Sequence, residues 1–206
     1  MFAEFLIYLN LSWLLVNDYL LRLTAFIGVS QEAWFAPGNF VEAIARGEGE
    51  APYRGRILVP WFVIGIGKID DSTLNILTLA HVQRLFYILC MVALMFSVRF
   101  MITAYGYAKS VGFSGALLLA GLLSVALRDH GYQAWSWFEA VTFAIAVILT
   151  LRFPSITLFA FLCALAALNR ETALFLPLIP LAVGLSRWRI PPAANTANFS
   201  LRPALA

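Results

Sequence analysis

Apolar residues run along this chain in long blocks parted by short polar breaks. The first block covers about residues 4–28, EFLIYLNLSWLLVNDYLLRLTAFIG. Others follow at about 78–105, 111–127 and 133–152, then two shorter ones at about 154–168 and 172–186, parted by Asn169-Arg170-Glu171. Runs of this length exceed what a buried strand needs and approach the roughly 20 apolar residues of a membrane-crossing helix. Each block therefore predicts a helix, with 111–127 and 133–152 forming a hairpin around Arg128-Asp129-His130. The two short blocks fall near the lower length limit for crossing. The first block is too long and too polar for a cleaved signal peptide, and it lacks a basic start and an A-x-A exit.

Between the first two blocks lies the longest polar stretch, residues 29–57. Phe35, Phe40, Val41, Ile44 and Ala45 interleave there with Asn39, Glu42 and Arg46, the pattern of an amphipathic helix in a membrane interface. The following string, RILVPWFVIGIGK from Arg56 to Lys68, is too short to span and carries Pro60, Gly65 and Gly67. It predicts a re-entrant or interfacial segment. The end of the chain, residues 191–206, opens with Pro191-Pro192, is polar, and reads as an unfolded cytoplasmic tail.

Composition turns these helices into a membrane protein. Of 206 residues, 62% are hydrophobic and 12% charged, with a mean hydropathy of +0.84. A soluble domain is nearer half apolar and a quarter charged, and a chain this small buries only about 70% of its unfolded surface. The surplus needs lipid as its solvent. This excludes a soluble enzyme, a secreted disulfide scaffold and a disordered chain. The expected fold is all-α, a polytopic helical membrane protein. It has about six transmembrane helices and interfacial or re-entrant helices in the first external loop. Residues 1–190 form one transmembrane domain with residues 29–75 as that loop. The net charge of +3 reflects loop Lys and Arg rather than nucleic-acid binding. Cys90 and Cys163 lie inside apolar runs and read as packing residues.

Placing both termini in the cytoplasm of a bacterium puts Lys109, Arg152, Arg187 and Arg189 on the inside, with Arg99 close by. The acidic residues Glu32, Glu42, Glu48, Glu50, Asp70, Asp71, Asp129, Glu139 and Glu171 then fall outside the plasma membrane. Trp34, Trp61, Trp135 and Trp137 fall at the outer interface and Trp188 at the inner one. Arg54, Arg56, Arg128 and Arg170 converge with Asp129, His130, Glu139 and Glu171 on the external face. Ionisable groups at such depth are rare unless paired or functional. A basic rim beside lipid-facing aromatics suits the phosphate of a lipid-linked substrate, while the plainer reading makes these residues solvated turns.

Two strings stand out: PYRGRILVPW, Pro52 to Trp61, and ALNRETALFLPL, Ala167 to Leu178. Together with Arg84-Leu85 and the acid of the hairpin, Asp129 or Glu139, their order resembles the GT-C superfamily of membrane glycosyltransferases. The likeness is to the protein O-mannosyltransferase and lipid A aminoarabinose transferase branch, over residues 1–190. Arg56 to Trp61 looks like that family's "(R/P)PLxPW" segment, and Arg170-Glu171-Thr172 like its "(K/R)-x-(S/T)" break. The resemblance implies transfer of a sugar from a polyprenyl-phosphate donor on the external face. An acidic residue serves as base or orients the acceptor, with Glu32, Asp129, Glu139 and Glu171 as candidates. Arg54, Arg56, Arg128 and Arg170 would hold the donor phosphate. No cofactor is implied, and no nucleotide-binding glycine loop is present.

The chain departs from that pattern in two ways. Gly38-Asn39-Phe40 stands where such proteins show Gly-Asp-aromatic, and an amide cannot serve as a general base. The chain also has fewer spans than its likenesses, as expected of a truncated, split or reduced relative, for which a second membrane subunit is a candidate partner. Asp18 and Arg22, four apart, read as a structural pair facing the bundle, with Asp18 as the missing acid the rival reading. His81 and His130 have no metal-ligand spacing, so no metal is expected. A non-enzymatic membrane subunit or a transporter is the alternative function. The string Gly112-Phe113-Ser114-Gly115 also matches the GxSG of rhomboid intramembrane proteases. No histidine follows His130 to activate Ser114, which makes that reading the weakest.

Overall fold

The computed structural model describes residues 2–27, 46, 58–73, 78–126, 134–153, 155–169 and 171–189. Among them the protein is all-helical, with no strand. In chain order the helices are α1 (Phe2–Ile27), α2 (Leu58–Thr73), α3 (Leu79–Ala104), α4 (Lys109–Ala126), α5 (Ala134–Arg152), α6 (Ile156–Ala167) and α7 (Leu178–Arg189). A 3-10 turn, Glu171–Phe175, sits between the last two. The apolar blocks thus become helices close to their expected bounds.

Among the described residues, one helix, α3, is long and apolar enough to cross a membrane. About six such helices were expected, and four of the others fall short for local reasons. α1 also has 26 residues, but Asn10, Asn17, Asp18 and Arg22 dilute its apolar character. α2, at 16 residues, spans only about 24 Å at the helical rise. α6 and α7 have 12 residues each. Ser155 caps the start of α6 by accepting from the Leu158 N–H, the chain turns at Leu168 and Asn169, and Pro177 precedes α7. The segment expected to be re-entrant or interfacial forms helix α2. Pro60 sits in its first turn, where a missing N–H leaves no helical bond unmade.

α3 is the central element, packed against α1, α2, α4 and α5, while α6 and α7 each pack on α5 and the 3-10 turn packs on α6. Its start is fixed by Thr78, whose hydroxyl accepts from the His81 N–H while the His81 ring accepts from the Thr78 N–H. The face α1 turns to α3 carries Tyr8, Ser12, Val16, Tyr19 and Leu20, all buried. That stripe recurs at the helical spacing of three and four residues. Asp18 and Arg22 lie off it. They do pair, at 2.9 Å, but at 54% side-chain exposure for Asp18 and 42% for Arg22 they face outward rather than into the bundle.

Two ends of the bundle differ. At one, Arg99 near the end of α3 pairs with Glu4 of α1 at 2.9 Å, and Arg152 at the end of α5 donates to the Ala104 carbonyl at 2.9 Å. Lys109 opens α4 there. Arg99, which the sequence sets close to the cytoplasmic side, pairs here with a carboxylate 95 residues away. Both side chains are less than a quarter exposed, at 19% and 24%, so their charges are only partly screened. Glu4→Gln is expected to destabilise the protein by about 1–3 kcal/mol, the usual worth of a charged hydrogen bond. Thermal unfolding of the purified protein checks this, and an unchanged midpoint would make the pair ornamental.

Candidate functional site

The other end of the bundle is built where three elements meet. The Leu58 N–H, first in α2, donates to the Leu168 carbonyl at 3.1 Å. Leu58 belongs to the string Pro52–Trp61 and Leu168 to the string Ala167–Leu178. The two strings singled out by sequence therefore touch, although more than a hundred residues separate them. Beside this junction, Thr172 of the 3-10 turn donates its hydroxyl to the Glu139 carboxylate on α5. Asn169 is buried in the turn between them, with its N–H bonded to the Ala166 carbonyl at 2.9 Å.

Beneath lies an aromatic cluster from α1, α3 and α5. Trp137 stacks on Tyr87 at 5.9 Å and meets Tyr19 edge-on at 5.5 Å. Gln83 donates to the Tyr87 hydroxyl, and Phe62 of α2 reaches Phe86 of α3 at 5.4 Å. Trp137 was expected in the outer aromatic belt. At 5% exposure it belongs to the core instead. The reason is its helix face: Trp137, Val141 and Ala144 recur three and four apart and are all buried. Trp61, by contrast, is half-exposed.

Of the residues expected to do chemistry, Glu139 is the acid whose side chain the structure places. It is half-buried and accepts from the Thr172 hydroxyl, which orients the carboxylate. Glu171 opens the 3-10 turn. Glu32, Asp129, Arg54, Arg56, Arg128 and Arg170 lie outside the described residues, as does Asn39. Sequence reasoning missed Thr172 as the partner of Glu139. The three-residue break Arg170-Glu171-Thr172 was its only signal.

The GxSG string has a packing role. A Cβ on Gly112 would meet the Arg99 carbonyl and the Thr103 side chain at 3.0 Å each, and one on Gly115 would strike the Ile102 side chain. These glycines let α3 and α4 approach closely. Ser114 is exposed at the Arg99 end, whereas His81 lies in the first turn of α3 at the opposite end. Both cysteines are free thiols, Cys90 buried and Cys163 half-buried. Among the described residues, no group of three His, Cys, Asp or Glu could hold a metal ion.

No family model, curated protein or solved structure matches this chain.

Proposed function

We propose that this chain is a polytopic helical protein of the bacterial plasma membrane that handles a polyprenyl-phosphate-linked sugar at its Glu139 end. In this reading that end faces outward and the protein is GT-C-like. The bond between the Leu58 N–H and the Leu168 carbonyl carries the reading, because it joins the two strings on which the resemblance rests. Arg56 stands two residues before Leu58 and Arg170 two after Leu168, so both are near the junction in sequence. Large apolar side chains exposed on several helices support a lipid solvent, among them Leu21 on α1, Leu122 on α4 and Phe161 on α6, each more than 60% exposed.

Arg54, Arg56, Arg128 and Arg170 would hold the lipid phosphate through their planar donor forks. Glu139, oriented by Thr172, is the favoured acid for orienting or deprotonating an acceptor, with Glu32, Asp129 and Glu171 as the others. The test is retention of radiolabelled undecaprenyl phosphate by the purified protein. Each Arg→Ala at positions 54, 56 and 170 should weaken retention about ten- to a hundred-fold, the equivalent of roughly 1.5–3 kcal/mol. Arg→Lys should recover part of it, and alanines at Arg187 and Arg189 should change nothing. Equal retention by the wild type and the Arg54/Arg56/Arg170 triple-alanine variant would overturn the proposal. It would leave the second reading, a non-enzymatic membrane subunit, which Asn39 in place of the family's Asp favours.

A further inference from the structure

α1 carries a second stripe on the side turned away from α3. Ile7, Leu14 and Leu21 recur every seven residues and are 42%, 64% and 70% exposed. Asn10 and Asn17 fall between them, with Ala3 and Thr24 at the ends, so the spacing alternates four and three over three heptads. This is the a/d pattern of a coiled-coil seam, with Ile or Leu at every a position and Ala, Asn or Thr at every d. None of these positions belongs to the buried stripe through Tyr8, Ser12, Val16 and Tyr19. Packing on α3 therefore gives no reason for a seven-residue repeat on this side.

The polar groups on the stripe select its partner. Asn10 donates one N–H to the Leu6 carbonyl and Asn17 one to the Trp13 carbonyl, both at 2.9 Å and both within α1. Each amide keeps a second N–H and its carbonyl oxygen for another chain. Asp18, at the margin, is neutralised by Arg22 on its own helix, so the seam carries no net charge to repel a copy of itself. In a parallel pair about a two-fold axis, each a or d residue meets its own counterpart. Leucine then meets leucine, and a carboxamide, both donor and acceptor, meets a carboxamide. An antiparallel pair would set a against d, and so each Asn against Leu or Ile. The fit holds in either solvent. Water penalises the exposed Ile7, Leu14 and Leu21, lipid penalises the two open amides, and pairing removes both costs.

We propose that the chain forms a parallel homodimer through α1. Ile7, Leu14 and Leu21 meet their counterparts, and the Asn10 and Asn17 amides bond across the seam. The proposal requires neither the membrane reading nor sugar transfer.

The test is the mass of the purified full chain in mild detergent, measured by sedimentation equilibrium over a range of protein-to-detergent ratios. The wild type should show twice the 22.8 kDa of one chain. Leu14→Glu and Leu14→Lys each set two like charges on the axis, and each alone should be monomeric at ratios where the wild type is dimeric. Mixing the two variants should restore the dimer, a result that misfolded protein could not give. The same two substitutions at Leu118, exposed on α4, should leave the wild-type mass unchanged. A wild type that stays monomeric at every ratio would overturn the proposal. Dimers formed by either Leu14 variant alone, or a mixture that stays monomeric, would remove α1 as the seam and overturn it equally.

Discussion

Tyr8→Ala is expected to remove about 3–5 kcal/mol of stability, the range for truncating a large aromatic in a packed core. Tyr8 is fully buried on α1. Its ring meets Phe96 of α3 edge-on at 4.9 Å and stacks on Phe113 of α4 at 5.8 Å, so three helices lose their shared contact together. Tyr8→Phe should behave in the opposite way. The hydroxyl is buried with no hydrogen-bond partner among the described residues, and a buried polar group left unmade costs about 1–3 kcal/mol. Deleting it while keeping the ring should leave stability unchanged or raise it. Thermal unfolding of both variants decides the matter, and a large loss in Tyr8→Phe would show that the hydroxyl has a structural partner.

Gly112→Leu carries the next largest effect. Its new side chain would grow toward the Arg99 carbonyl and the Thr103 methyl, already at 3.0 Å from the first added carbon. One of those neighbours is backbone and cannot rotate away. Overpacking of this kind costs typically about 1–3 kcal/mol, and it falls at the seam of α3 and α4. Gly121 on the same helix is the control, because a Cβ there meets nothing within 4 Å. Gly121→Ala should be neutral or gain up to about 1 kcal/mol from helix propensity. Similar melting behaviour for Gly112→Leu and Gly121→Ala would remove the close approach of α3 and α4 from the account.

The helices were legible in the sequence because uninterrupted apolar blocks leave few alternatives, and breaks such as Asn169 and Pro154 mark their ends. Which face of each helix turns inward was less legible. Along α1 apolar residues occupy every side, so the buried stripe through Tyr8, Val16 and Leu20 emerges only from contact with α3. For the same reason Trp137 resembled a belt residue and Asp18–Arg22 an internal pair. Contacts distant in sequence were hidden altogether. Nothing in the spacing of Glu4 and Arg99, or of Glu139 and Thr172, announces that they meet. The convergence of the two strings was inferred from an assumed topology. The Leu58–Leu168 bond gives it an atomic basis at one point of contact.

The central claim is that the chain crosses a membrane repeatedly with the Glu139 end outside and the Arg99 end in the cytoplasm. Single cysteines at Gly49 and Lys109, in a background lacking Cys90 and Cys163, test it most directly when intact cells are treated with a membrane-impermeant thiol reagent. The account predicts labelling at 49 from outside, and labelling at 109 only after the membrane is opened. Labelling at 109 but not at 49 in intact cells would contradict it.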